Sequence, residues 1–146
     1  MSEASLRNSR VFGGLGSDPT RALSRLLHRL TLSEGEVLFR EGEIGEASYL
    51  VCEGEILIFE ERPGVGEIER AVLGPGELFG ELALFGSGRR SAGAKARTRA
   101  VVGELEQDAF LEIVRAWPDV ALALLRVQTE RFLDLERKYR RLSGER

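Results

Sequence analysis

Seventeen glycines among 146 residues, against an average usage of about 7%, cut the middle of this chain into pieces too short for a helical bundle. Between these breaks lie apolar runs with strand character, at residues 37–39, 48–52, 55–60, 67–73, 90–96 and 99–105. Residues 61–66, Glu-Arg-Pro-Gly-Val-Gly, read as a hairpin loop. Short strands at regular spacing predict a mainly β sandwich or roll.

Helical patterns occur only at the two ends. Residues 1–17 are polar and glycine-dotted and read as a flexible arm. Leu23, Leu26, Leu27 and Leu30 share helical spacing, with Pro19 near the first turn and Ser17 or Asp18 as cap, so residues 20–30 are expected as one amphipathic helix. His28 should face solvent. Gln107 or Asp108 caps a short helix to Ala116, Trp117-Pro118 breaks it, and Asp119 caps a long helix over residues 119–142. Beyond Gln128 that helix keeps one apolar stripe, Leu125, Gln128, Phe132, Leu135, Tyr139 and Leu142, alternating three and four apart. Such a seam predicts a helix-mediated homodimer, with Arg131 and Glu136 at the flanking positions that face each other in a parallel pair, and the alternative is a helix lying back on its own domain. Residues 18–146 form one domain that includes this helix.

The unusual chemistry lies in residues 74–99. Gly74, Pro75 and Gly76 turn the chain, and Gly80 lets the backbone approach a neighbour closely. Residues 81–85 suit a single helical turn whose first N–H groups, those of Leu82 and Ala83, are expected unpaired and attractive to phosphate. After Arg90 and Ser91, Ala92, Ala94 and Ala96 keep Arg90's parity, while Lys95, Arg97 and Arg99 keep Ser91's. An inward alanine row headed by an arginine leaves a space that an anion fits. The guanidinium offers a planar fork to two phosphate oxygens, Ser91 adds a hydroxyl, and Glu81 accepts from a ribose hydroxyl. An alternative is a structural ion pair between Glu81 and Arg90. Lys95, Arg97 and Arg99 read as a solvated strand face, and Cys52 as a small buried apolar residue.

Gly80-Glu81-Leu82-Ala83-Leu84 followed by Arg90-Ser91-Ala92 resembles the phosphate-binding cassette of cyclic nucleotide-binding domains. Phe39-Arg40-Glu41-Gly42, Gly45, Tyr49-Leu50-Val51 and Gly54 extend the likeness over residues 10–142, toward the Crp/Fnr-like sensory domains of the catabolite activator type. The resemblance implies a double-stranded β-helix, or jelly roll, flanked by an N-terminal helix and a long C-terminal helix. It implies a ligand site at Gly80, Glu81, Leu82, Ala83, Arg90, Ser91 and Ala92. The cyclic phosphate would lie on Arg90, Ser91 and the Leu82-Ala83 backbone, and the ribose hydroxyl on Glu81. The implied ligand is cAMP or cGMP, and the base stays open, because Thr129 is the only hydroxyl near the expected base position on the long helix. The implied role is a stand-alone regulatory module signalling through that helix. The alternative is a degenerate, ligand-free domain for dimerisation or protein interaction.

Several classes are disfavoured. One histidine and one cysteine leave no metal cluster, disulfide or nucleophilic triad, so neither an enzyme nor a bound cofactor is expected. A net charge of −3 and no helix-turn-helix after the long helix speak against DNA binding by this chain alone. With neither a signal peptide nor an apolar run of about 18 residues, the expected setting is cytoplasmic, without membrane attachment.

Overall fold

In the computed structural model, which describes residues 1–85 and 88–144, eight antiparallel strands form two four-stranded sheets. The first sheet has the order β1 (His28–Leu32), β8 (Ala100–Glu106), β3 (Ala47–Glu53), β6 (Leu78–Phe79). The second runs β2 (Val37–Phe39), β7 (Gly93–Ala96), β4 (Ile56–Arg62), β5 (Gly66–Leu73). This is the expected mainly β roll. Four helices flank it: α1 (Glu3–Arg7), α2 (Ser17–Leu26), α3 (Gln107–Ala116) and α4 (Asp119–Leu142).

Strand period decides where the cores lie. On β3, Ala47, Tyr49 and Val51 face the other sheet, while Leu50 and Cys52 face the helices. Val102 on β8 likewise points into the roll and Leu105 toward the helices. The central strands β3 and β8 are therefore buried on both faces and read as nearly continuous apolar runs. The inter-sheet core holds Phe39, Ile56, Phe79, Ala94 and Ala96. The helical core packs Leu23, Phe110, Ile113, Val120, Leu124 and Val127 against the first sheet.

Four expectations are corrected. Residues 1–17 are not a loose arm: α1 forms, the Ser9 hydroxyl accepts the Val11 and Phe12 N–H groups, and Leu6 and Phe12 are fully buried. A few large apolar side chains anchored by one polar turn hold this segment despite its polar composition. The expected helix over residues 20–30 ends at Leu26, and residues 28–32 become β1, paired with β8. Leu23 sits on the helix, Leu27 caps it in an extended conformation, and Leu30 is on the strand, so one leucine pattern serves two periods. Helix caps shift by a residue or two, to Gly16, Glu106 and Pro118, none with a side-chain capping bond. The hairpin loop shortens to residues 63–65, because β4 and β5 pair as far as Arg62 and Gly66.

The long final helix has the expected bounds. Its buried residues are Val120, Leu124 and Val127, and its later apolar residues are exposed, from 42% at Leu133 to 89% at Leu142.

Because Phe12 is fully enclosed, Phe12→Ala is expected to lower the unfolding free energy by about 3–5 kcal/mol. Urea denaturation followed by circular dichroism checks this, and an unchanged midpoint would restore the loose-arm reading.

Candidate functional site

Gly80 ends β6 and starts a single 3-10 turn, Glu81–Phe85. Its φ of +70° suits glycine, and a Cβ there would lie 2.7 Å from the Arg90 guanidinium. The turn closes on itself, with the Ala83 N–H donating to the Gly80 carbonyl at 3.2 Å, and Leu82 is not without a partner either. For Ala83 this corrects the expected unpaired donor, because the tight turn brings the Gly80 carbonyl within reach of its N–H.

Arg90 precedes β7, its backbone pinned by bonds from its N–H to the Glu43 carbonyl and from the Gly42 N–H to its own carbonyl, both 2.8 Å. Its side chain is buried, at 9% exposure. One terminal nitrogen donates to the Ala47 carbonyl at 2.7 Å and the other to the Gly80 carbonyl at 3.2 Å. The guanidinium carbon stands 4.1 Å from the centre of the Phe39 ring, a favourable cation–π distance. Nε has no partner. Burial lowers the proton affinity of this guanidinium, opposed by Tyr49, Glu43 and Glu104.

Glu81 does not pair with Arg90. Its carboxylate accepts from Arg131 of α4 at 3.0 Å, and the same arginine donates to the Leu78 carbonyl at 3.0 Å. Arg131 is therefore engaged within its own chain, and Glu136 is paired with Arg140.

All seven expected residues, Gly80, Glu81, Leu82, Ala83, Arg90, Ser91 and Ala92, line one cavity of about 300 Å³. That is the lower end of the range for small-molecule sites. Ile58 and Leu73 give it an apolar wall, and Arg131 closes it from α4. Phe132, Leu135, Tyr139 and Leu142 do not reach it. Sequence reasoning missed Arg10, Ile58, Leu73 and Arg131 as lining residues. Only the parity of Ile58 on its strand hinted at an inward position, and nothing local marked Arg10.

The other singled-out residues lie elsewhere. Lys95 pairs with Glu67 at 2.7 Å, Arg97 with Glu55 at 3.7 Å and Arg99 with Glu53 at 3.9 Å, as befits a solvated strand face. Cys52 is half-buried, with its thiol pKa raised by burial, and His28 is exposed. Among the described residues no three His, Cys, Asp or Glu side chains gather as a metal site, and no helix is long and apolar enough to cross a membrane.

A family model described as the cyclic nucleotide-binding domain matches residues 29–116, which contain both the roll and the cavity's cassette. The chain belongs to the cyclic nucleotide-binding domain family. The cyclic AMP receptor protein of Thermus thermophilus is 35% identical over 133 residues, 90% of this chain and 62% of that protein. The crystal structure of the Thermus thermophilus catabolite activator protein superposes with a TM-score of 0.83 at 34% identity, over 92% of this chain and 63% of that one. The N-terminal domain of a transcriptional regulator from Streptomyces coelicolor gives 0.77 at 32% identity, with 92% and 94% covered. This cyclic nucleotide-binding domain thus spans under two thirds of the Thermus proteins it matches.

Beside the cavity of this domain, Tyr49 is stacked on Phe79 at 5.4 Å, and burial, with Glu104 adding to it, pushes the phenol pKa up to about 12. The unfolded chain loses that proton near pH 10, so the folded state binds more protons and its stability falls as pH rises from about 10 to about 12. Urea midpoints measured across that window should decline, and Tyr49→Phe should flatten the decline.

Proposed function

We propose that this domain binds a purine 3′,5′-cyclic monophosphate, cAMP or cGMP, and reports its occupancy through α4 as a regulatory module. The observation that carries this reading is Arg90. It is a guanidinium at 9% exposure on the cavity wall, with two carbonyl partners, five N–H bonds to place and a buried Nε without an acceptor. An anionic oxygen in the cavity offers the remaining donors a charged acceptor, and the neighbouring Ser91 hydroxyl is exposed. In this reading Glu81 accepts from the ribose hydroxyl, Gly80, Leu82, Ala83 and Ala92 shape the wall, and Arg131 carries the change to α4. Binding rather than catalysis is supported by a cavity lining that contains neither histidine nor cysteine.

A second reading has its own support. Glu81 and Arg90 both have partners without any ligand, as a ligand-free dimerisation or interaction domain requires. Isothermal titration with cAMP and cGMP separates the two. Heat with either nucleotide favours the first reading and silence with both favours the second. Arg90→Ala is expected to weaken binding by about tenfold to more than a hundredfold, and Glu81→Ala to act in the same direction. An Arg90 variant that binds as tightly as wild type would sink the assignment.

The exposed stripe on α4, Phe132, Leu135, Tyr139 and Leu142 with Leu125 before it and a half-buried Gln128 between, supports a helix-mediated homodimer. The net charge of −3 supports a chain that does not hold DNA by itself. Light scattering after size exclusion should give a dimer for wild type and a folded monomer for the double variant Phe132→Asp with Leu135→Asp. A monomeric wild type removes the dimer from the proposal.

A further inference from the structure

One wall of the cavity comes from outside the segment that matches the family. Arg10, well before residue 29, lines the same cavity as the cassette. Its backbone is fixed. The Arg10 N–H donates to the Gly76 carbonyl at 3.1 Å, and the next two residues, Val11 and Phe12, are anchored in the helical core. Gly76, at φ +93°, admits this approach because a Cβ there would meet the Asn8 carbonyl at 3.0 Å.

The Arg10 side chain is held far less firmly than its backbone. It is 60% exposed, and its one ion pair among the described residues is a 3.4 Å contact to Glu130 of α4, itself 59% exposed, of the kind that contributes little in water. The other guanidiniums on the cavity have firmer holds. Arg131 is on Glu81 and Leu78, Arg90 on Ala47 and Gly80, and Arg89 on the Gly42 carbonyl at 2.8 Å. Arg10 is thus a planar cation on a rigid base, near the turn that follows the apolar wall residue Leu73, with a weak partner to leave.

We infer that Arg10 is a ligand-binding residue, whose guanidinium leaves Glu130 and closes on the bound nucleotide, so that the N-terminal segment completes the site. This rests on the reading of the cavity as a cyclic nucleotide site. A guanidinium suits that task, since it donates to ring nitrogen or oxygen acceptors and stacks on an aromatic base.

Titration of wild type, Arg10→Ala and Glu130→Gln with cAMP and with cGMP tests it. Arg10→Ala should lower affinity for the nucleotide that wild type binds by about tenfold, with an unchanged urea midpoint. Glu130→Gln should leave affinity intact or tighten it, because it releases Arg10. Equal weakening in both variants would mean that Arg10 acts only by tethering α4, and unchanged affinity in Arg10→Ala would mean that it does not touch the ligand. Either result overturns the inference while leaving the cyclic nucleotide reading in place. A wild type that binds neither nucleotide removes both.

Discussion

The buried guanidinium of Arg90 is the interaction around which the roll is arranged. Burying such a charge costs several kcal/mol unless its donors and its field are answered. Here the answer comes from both sheets at once. Phe39 of β2 supplies a ring face at 4.1 Å, and Ala47 of β3 supplies a carbonyl at 2.7 Å. Gly80 contributes another carbonyl and, lacking a Cβ, the space for the terminal nitrogen. Phe39, Tyr49 and Phe79 pack against one another with ring centres 5.4–6.1 Å apart, forming the apolar support of the charge. The position of one arginine thus ties the inter-sheet core to the cavity wall.

Helix α4 is attached to the rest of the domain in two different ways. Its first turns bury Val120, Leu124 and Val127, an apolar contact that charge screening does not weaken. Past Val127 no described residue of the helix is buried, and two ion pairs take over, Arg131 with Glu81 and Arg10 with Glu130. The former is the more sheltered, with Glu81 at 15% exposure, and so the less screened. The distal half of α4 is thus tied to a cavity carboxylate. In the proposed function, a group that takes Glu81 also takes the partner of Arg131, and this shared acceptor, rather than a packed interface, passes occupancy to the helix.

Much of the domain was legible from local signals. Short apolar runs between glycines marked six of the eight strands, since a glycine-rich turn and a period of two are properties of a few adjacent residues. The strand β6, two residues long, carried too little pattern to be recognised, and β1 was hidden because Leu30 fits the helical spacing of Leu23, Leu26 and Leu27 as well as the pleat. The seven cassette residues fell together on one cavity because the Arg90 side chain reaches back to the Gly80 carbonyl. Arg10, Ile58 and Arg131 were not legible in the same way, because each reaches the cavity from a distant part of the chain.

The roll, the long final helix and the chemical types on the cassette follow from the order of residues alone, because backbone permissiveness, side-chain period and charge are carried by neighbouring residues. Packing in three dimensions set the partners. It gave Glu81 to Arg131 rather than to Arg90, gave Arg90 to two carbonyls and a ring, and turned the polar N-terminal stretch into a wall of the cavity. Which acceptor a buried charge finds is set by distances of about 3 Å between segments far apart in the chain, and composition or spacing along one segment carries no record of those distances.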